Sequence, residues 1–230
     1  TSTVSANVDA GFSIVSYTSN GTDGATVGHG LSSTPEMVIV KRRDVAGGWA
    51  VYHAGNTSAP ETDYLMLNLT SATSDAANFW NDTAPTASVF SLGNNAVVNV
   101  ITGSPYIAYA FHSVEGYSKV GSYTGNGSTD GTFVHCGFRP AYIMIKQTSV
   151  DSWGVYDSKR NGINNDSGQG NAVLYPESSV VEESPASRAI DLLSNGFKLR
   201  TSNVTFNENG NGDYIFIAFA ENPFKYTNAR

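Results

Sequence analysis

Aromatic rings flanked by amides and carboxylates are how proteins hold sugars: the ring stacks on the apolar C–H face while polar groups take the hydroxyls. The chain carries such groups at matching places. Trp49 and Tyr52 stand three residues apart, and Trp153 and Tyr156 repeat the spacing further on. In a strand, residues i and i+3 point to opposite faces, so each pair is expected to give one ring to a core and one to solvent. Trp80 lies in the polar run Asn78-Phe79-Trp80-Asn81-Asp82, which has no counterpart elsewhere, and is expected as a contact residue on an irregular loop. The 159–170 segment adds Asn165 and Asp166 as amide and carboxylate. These seven residues are the candidate ligand-binding set.

Catalytic patterns are missing. The sequence has no Gly-x-Ser-x-Gly elbow, no phosphate-cradling Gly-rich loop with Lys and Ser/Thr, and no His-Glu-x-x-His. A glycosidase needs two carboxylates roughly 5–10 Å apart. Asp151, Asp157, Asp166, Glu182, Glu183 and Asp191 could supply a pair, as could the acids of any β protein this rich in them. His29, His53, His112 and His135 do not recur at equivalent positions, and Cys136 stands where His29 does. No catalytic residue and no metal ligand is therefore assigned. Calcium is the one ion considered: Asn207-x-Asn209-x-Asn211-Gly212 alternates oxygen groups as an EF-hand does, but with amides for carboxylates and Ala218 at the bidentate position. A hairpin tip is the expectation there, and turn chemistry accounts equally for the Asn20–Gly24 and Asn126–Gly131 loops.

The elements that would position these groups come in two sets. The run from Gly11 to Gly24 returns from Gly116 to Gly131 with one insertion, and 36–41, 49–52 and 106–111 return as 141–146, 153–156 and 214–219. The period, roughly 105 residues, is the size of a small domain rather than of a solenoid repeat. In the first copy β-type segments fall at 12–17, 36–41, 49–53, 64–69, 88–92, 97–101 and 106–112. In the second they fall at 117–123, 141–146, 153–156, 172–175, 197–200, 203–206 and 214–220. Short strands with regular turn signals predict an all-β fold of two tandem antiparallel β-sandwich repeats, jelly-roll or lectin-like, over 11–114 and 115–230. Residues 1–10 have no repeat partner and are expected as an N-terminal arm or the end of a preceding segment. For 184–199 two readings stand side by side: a short helix after Ser184-Pro185, or a hairpin around Asn195-Gly196.

Composition narrows the partners. Charged residues make up 14% of the chain, and Gly, Ser, Thr and Asn fill the polar positions, a surface of hydroxyls and amides suited to turns and to sugar hydroxyls. The net charge of −7, with Lys41-Arg42-Arg43 as the sole basic cluster, argues against nucleic acid. No apolar run reaches the 18 or so residues of a membrane helix, so no membrane insertion is expected. A single cysteine permits no internal disulfide, leaving stability to packing or assembly.

Four strings place the chain in a setting: Gly-Tyr-Ser-Lys-Val-Gly-Ser-Tyr-Thr-Gly-Asn-Gly from 116, Phe-Arg-Pro-Ala-Tyr-Ile-Met-Ile-Lys from 138, Ile-Asp-Leu-Leu-Ser-Asn-Gly-Phe-Lys from 190 and Ala-Phe-Ala-Glu-Asn-Pro-Phe-Lys from 218. They resemble a repeat domain of unknown function found in tail-fibre and other virion proteins of marine phages and cyanophages. The first copy departs from the pattern after Phe111, reading His112-Ser113-Val114-Glu115. The resemblance implies an extracellular, virion-surface appendage protein with this chain as a distal domain; together with the aromatics and loop amides above, the expectation is a non-enzymatic module that binds host-surface glycan. The resemblance further implies self-association, as a homotrimer in the manner of fibres, and contact with other virion proteins. A purely structural decoration or filament subunit is the alternative, and a polysaccharide depolymerase the second alternative. The family has no catalytic residues to carry over.

Overall fold

The computed structural model describes residues 2–99, 103–160, 164, 171–183, 186–210 and 212–222. The chain is all-β and divides into two compact units, Thr1–Ser113 and Val114–Arg230. Unit 1 runs β1 (Ser2–Asn7), β2 (Phe12–Thr18), β3 (Ala25–Gly28), β4 (Met37–Arg42), β5 (Trp49–His53), β6 (Asp63–Met66), β7 (Ser74–Asp75), α1 (Ala77–Trp80), β8 (Val89–Leu92) and β9 (Pro105–Phe111). Unit 2 runs β10 (Ser118–Thr124), β11 (Phe133–His135), β12 (Pro140–Gln147), β13 (Trp153–Asp157), a 3-10 turn (Ala186–Arg188), β14 (Ile190–Leu193), β15 (Gly196–Leu199), α2 (Val204–Asn207) and β16 (Asp213–Ala220).

Each unit is a sandwich of a larger and a smaller antiparallel sheet. The large sheet of unit 1 has the order β1-β2-β9-β4-β5-β6-β7 and faces the pair β3-β8; that of unit 2 has the order β10-β16-β12-β13 and faces β11-β15-β14. The order β2-β9-β4-β5 is thus the order β10-β16-β12-β13. Alternation along β9 turns Tyr106, Ala108 and Ala110 inward, where they meet Val15, Tyr17, Val38 and Val40 of their own sheet and Val27, Phe90 and Leu92 of the small one. Tyr123, Ile143, Ile145, Tyr214 and Phe216 meet Val134, Phe197 and Leu199 in the same way.

Corresponding pairs hold similar volume in opposite halves. Val15 faces Ala108 across the ladder in unit 1, while Gly121 faces Phe216 in unit 2. A Cβ on Gly121 would come within 2.9 Å of the Phe216 ring, so the large ring requires the glycine. Ala50 and Val98 lie in the first core where Gly154 and Phe206 lie in the second, and a Cβ on Gly154 would stand 2.4 Å from Phe206. Adding a methyl at either glycine overfills a close-packed interior.

The structure differs from the expected segments in several places. Residues 1–10, which have no repeat partner, carry β1, which forms a hairpin with β2 in unbroken register from Ser2↔Tyr17 to Asn7↔Phe12. The 97–101 strand is absent over its described part. Val98 and Asn99 N–H groups turn back to the Asn95 carbonyl, and Asn95 Oδ1 accepts from Val97 N–H. The 203–206 strand is α2, capped by Asn203 accepting from Thr205 N–H at 3.0 Å. Asparagine oxygens hold the first orphan N–H groups of a helical turn, which outweighs the apolar alternation of these short runs. Around 190–199 the hairpin forms, preceded by one 3-10 turn; Ser184 and Pro185 lie outside the described residues.

Behind each helical turn stand two stacked tyrosines. The rings of Tyr17 and Tyr106 lie 5.2 Å apart, those of Tyr123 and Tyr214 4.8 Å apart, each nearly parallel. Tyr17 donates to Val98 O and Tyr106 to Ala96 O, both at 2.7 Å; Tyr123 donates to Phe206 O at 2.9 Å and Tyr214 to Val204 O. A ring that packs in the core while its hydroxyl satisfies a buried carbonyl serves both demands of an interior position.

The units differ where His29 and Cys136 correspond. His29 is fully buried, its Nδ1 accepting from Leu31 N–H at 3.1 Å, which leaves Nε2 as the protonated donor to Thr86 O at 3.1 Å. Burial holds its pKa below the ordinary value, outweighing the Thr86 bond that favours the cation, with His112 adding to the depression. The unfolded chain takes up this proton near pH 6.5 and the fold only at lower pH, so stability present above about pH 6.5 is lost as pH falls below it. His29→Cys, which installs unit 2's solution, is expected to reduce the drop in melting temperature between about pH 7.5 and about pH 5.5, measured by calorimetry. The Cys136 thiol is pushed up to about 12 by burial and carries no charge over that range.

Candidate functional site

Most of the ring candidates are interior. Trp80 is 2% exposed; its Nε1–H donates to Asp63 O at 3.0 Å and its ring meets Tyr52 edge-on at 6.0 Å. Tyr52, Trp153 and Tyr156 are buried, with Tyr156 donating to Arg188 O and packing edge-on against Phe206. The expected exposure of one ring per pair fails for Trp153 and Tyr156, because β13 is covered on both faces over these residues, whereas alternation presumes one wet face. Burial also pushes the Tyr52 hydroxyl up to about 12 and the Tyr156 hydroxyl higher still. Trp49 alone of these is half-buried, opposite Lys41, so in the first pair Trp49 is the more exposed member and Tyr52 the core one. Asn165 and Asp166 lie outside the described residues.

Of the groups weighed as calcium ligands, Asn207 and Asp130 are committed elsewhere, and Asn211 lies outside the described residues. Asn207 is no loop tip but fully buried, and its Nδ2 donates to Asn126 Oδ1, Ser128 O and Thr201 O. Asp130 faces Lys198 at 2.6 Å and Arg200 at 3.4 Å, and the Lys198 ammonium holds its pKa below the usual carboxylate value. Among the described residues no cluster of three or more His, Cys, Asp or Glu could hold a metal ion. Of the carboxylates weighed for glycoside cleavage, Asp157 and Glu182 both pair with Arg160, and Asp191 with Arg200.

A cavity lies in unit 1, where the ends of β1 and β2 approach β3 of the small sheet. It holds about 170 Å³ and is lined by Ser2, Tyr17, Thr18, Asn20, Ala25, Thr26, Val27, Leu92 and Asn99. Ser2, Thr18, Asn20 and Thr26 are exposed and form its rim; Tyr17, Val27, Leu92 and Asn99 are buried and form its floor. No ionisable side chain other than the Tyr17 phenol lines it, and burial raises that phenol's pKa well above the ordinary value.

The rim loop is rigid by construction. Asn99 accepts from Asn20 N–H at 3.1 Å and donates to Thr22 O at 2.8 Å, clasping the loop from beneath. Asn20 Oδ1 accepts from Thr22 N–H, an Asx turn, and Gly24 N–H closes onto Leu92 O. Such a clasp holds hydroxyl and amide groups in place before any ligand arrives. In unit 2 the Asn207 clasp holds Asn126 similarly, but Phe133 stands where Thr26 does, and Thr132 Oγ1 donates to Thr124 O at 2.8 Å. Phe133 is 43% exposed and packs edge-on to His135, an exposed ring that pattern reading did not select. Its signal was the Thr26-to-Phe133 difference between otherwise matching strands.

Comparison with known proteins gives one match. A family model described as a domain of unknown function (DUF7483) covers residues 1–223. No curated protein and no solved structure matches the chain.

Proposed function

Starting from a chain that belongs to the DUF7483 family, we propose that it is a non-enzymatic module of a virion appendage that binds host-surface glycan. The unit 1 cavity carries the binding reading. It offers one buried aromatic wall in Tyr17, rim hydroxyls on Ser2, Thr18 and Thr26, and amides on Asn20 and Asn99, with no charged side chain. A hydroxyl-and-amide rim over an apolar floor suits a neutral sugar ring, whose hydroxyls both donate and accept. Its volume, that of roughly six waters, fits one saccharide unit or the end of a chain rather than a long polymer. The appendage setting, the virion-surface location and the contacts with other virion proteins rest on the sequence strings that resemble tail-fibre proteins.

The test is binding of the full chain to an array of neutral and acidic glycans, followed by calorimetry on the best ligand. Thr26→Tyr, on an exposed β3 position that favours aromatic residues, fills the mouth of the cavity. It is expected to weaken binding at least about tenfold with the melting temperature unchanged. Unaltered affinity in that variant would remove the cavity from the proposal, and shortening of the polymer on incubation would replace adhesion with depolymerisation.

A further inference from the structure

The two edges of the unit 1 large sheet are unlike. At one end β7 has two residues and carries Asp75, a short charged edge of the kind that resists further pairing. At the other end β1 has six residues, every one exposed, without charge, proline or bulge: Ser2-Thr3-Val4-Ser5-Ala6-Asn7. Its inner side is seated, since Val4 and Ala6 lie over Gly30, where a Cβ would stand 2.8 Å from Val4 Cγ1 and 3.3 Å from Ala6 Cβ. The strand is therefore held in place, while among the described residues no strand pairs with its outer edge.

The ladder fixes which backbone groups that edge presents. Ser19 N–H donates to Ser104 O and His112 N–H to Gly11 O, which places Gly11, Ser13, Val15, Tyr17 and Ser19 in the hydrogen-bonded pairs toward β9. Antiparallel pairs alternate, so Phe12, Ile14 and Ser16 bond toward β1, using Asn7, Ser5 and Thr3. The N–H and C=O groups of Ser2, Val4 and Ala6 consequently point outward.

From this register we infer that β1 is an isologous dimer edge: β1 of a second copy pairs with it antiparallel about a two-fold axis through Val4. Val4 then exchanges both hydrogen bonds with its own symmetry mate, and Ser2 and Ala6 do so with each other on either side. Like residues meet at the axis of such an interface, so any charge there would repel itself; β1 has none. The side chains are small enough for the strands to reach ladder spacing, and the two seven-stranded sheets become one. An isologous edge closes at two copies, and so replaces the three-fold assembly expected from the likeness to fibres. The inference stands apart from the glycan reading.

Sedimentation equilibrium on the full chain tests it. The expected result is twice the 24.4 kDa chain mass at high concentration, falling to one chain on dilution. Val4→Pro removes the outward N–H while sparing the β1–β2 bonds, and is expected to raise the dimer dissociation constant at least about tenfold with little change in melting temperature. Val4→Cys provides a readout independent of folding. The two Cα atoms would lie about 5.5 Å apart, within disulfide reach, and mild oxidation should trap a covalent dimer that the buried Cys136 cannot form. One-chain mass at every concentration, a three-chain mass, or a dimer that Val4→Pro leaves intact and Val4→Cys fails to cross-link would each overturn the inference.

Discussion

Trp80→Ala is expected to lower the unfolding free energy of unit 1 by about 3–5 kcal/mol, the cost of emptying an aromatic site in a packed core. The indole is 2% exposed, lies against Phe79 and Tyr52, and donates to Asp63 O. Truncation leaves both a cavity and a buried carbonyl without its donor, and those costs add. Because the helix turn that carries the ring also receives the Gly93 N–H at Phe79 O, loosening should spread toward β8. Urea titration followed by near-ultraviolet circular dichroism would measure the loss. Any fall in glycan binding by this variant would then report a damaged fold, and a loss under about 1 kcal/mol would restore Trp80 as a surface contact.

The second large effect is expected at Asn207. Its two amide N–H groups are shared among three acceptors, Asn126 Oδ1, Ser128 O and Thr201 O, and its Oδ1 accepts from Asn126 N–H, all about a fully buried side chain. Asn207→Ala strands these groups and should cost about 3 kcal/mol or more. Asn207→Asp keeps the shape but sets a carboxylate against three oxygens, and should cost more still. Asn99, its counterpart, makes one donated and one accepted bond of this kind, so Asn99→Ala should be milder. Denaturation curves would rank the three, and hydrogen exchange at the Asn126 amide should quicken in both Asn207 variants. Equal stability of Asn207→Ala and the parent protein would mean that the loop is held by its turn chemistry alone.

Much of the fold was legible because the two halves of the sequence share strings. The equivalence of Trp49/Tyr52 with Trp153/Tyr156 was visible in sequence, and the registers agree with it, Val38 facing Tyr52 as Ile143 faces Tyr156. The illegible parts have physical causes. β1 is built from small residues, most of them polar, and its pairing along β2 rather than an apolar alternation marks it as a strand. Trp80 sits among Asn and Asp, which reads as a wet loop, yet Asn81 adopts a left-handed conformation that ends the helix turn and leaves the ring inside. Asn99 and Asn207 looked like two more turn residues in an asparagine-rich chain. Nothing local distinguishes an asparagine that makes a turn from one that clasps a turn made elsewhere. The cavity likewise draws residues from four separate strands, and no sequence window spans it.

The opposed volumes at Val15/Ala108 and Gly121/Phe216 carry an evolutionary consequence. Similar coding halves invite unequal crossing-over, and a crossover falling between the two members of such a pair would assemble either Val15 against Phe216 or Gly121 against Ala108. The first chimaera is jammed and the second hollow, so recombinants survive when a whole unit is exchanged and fail when a strand is. Selection against hybrids would let the two halves drift apart in their interiors while each kept its own outline, and would make the entire unit, rather than any strand within it, the heritable part.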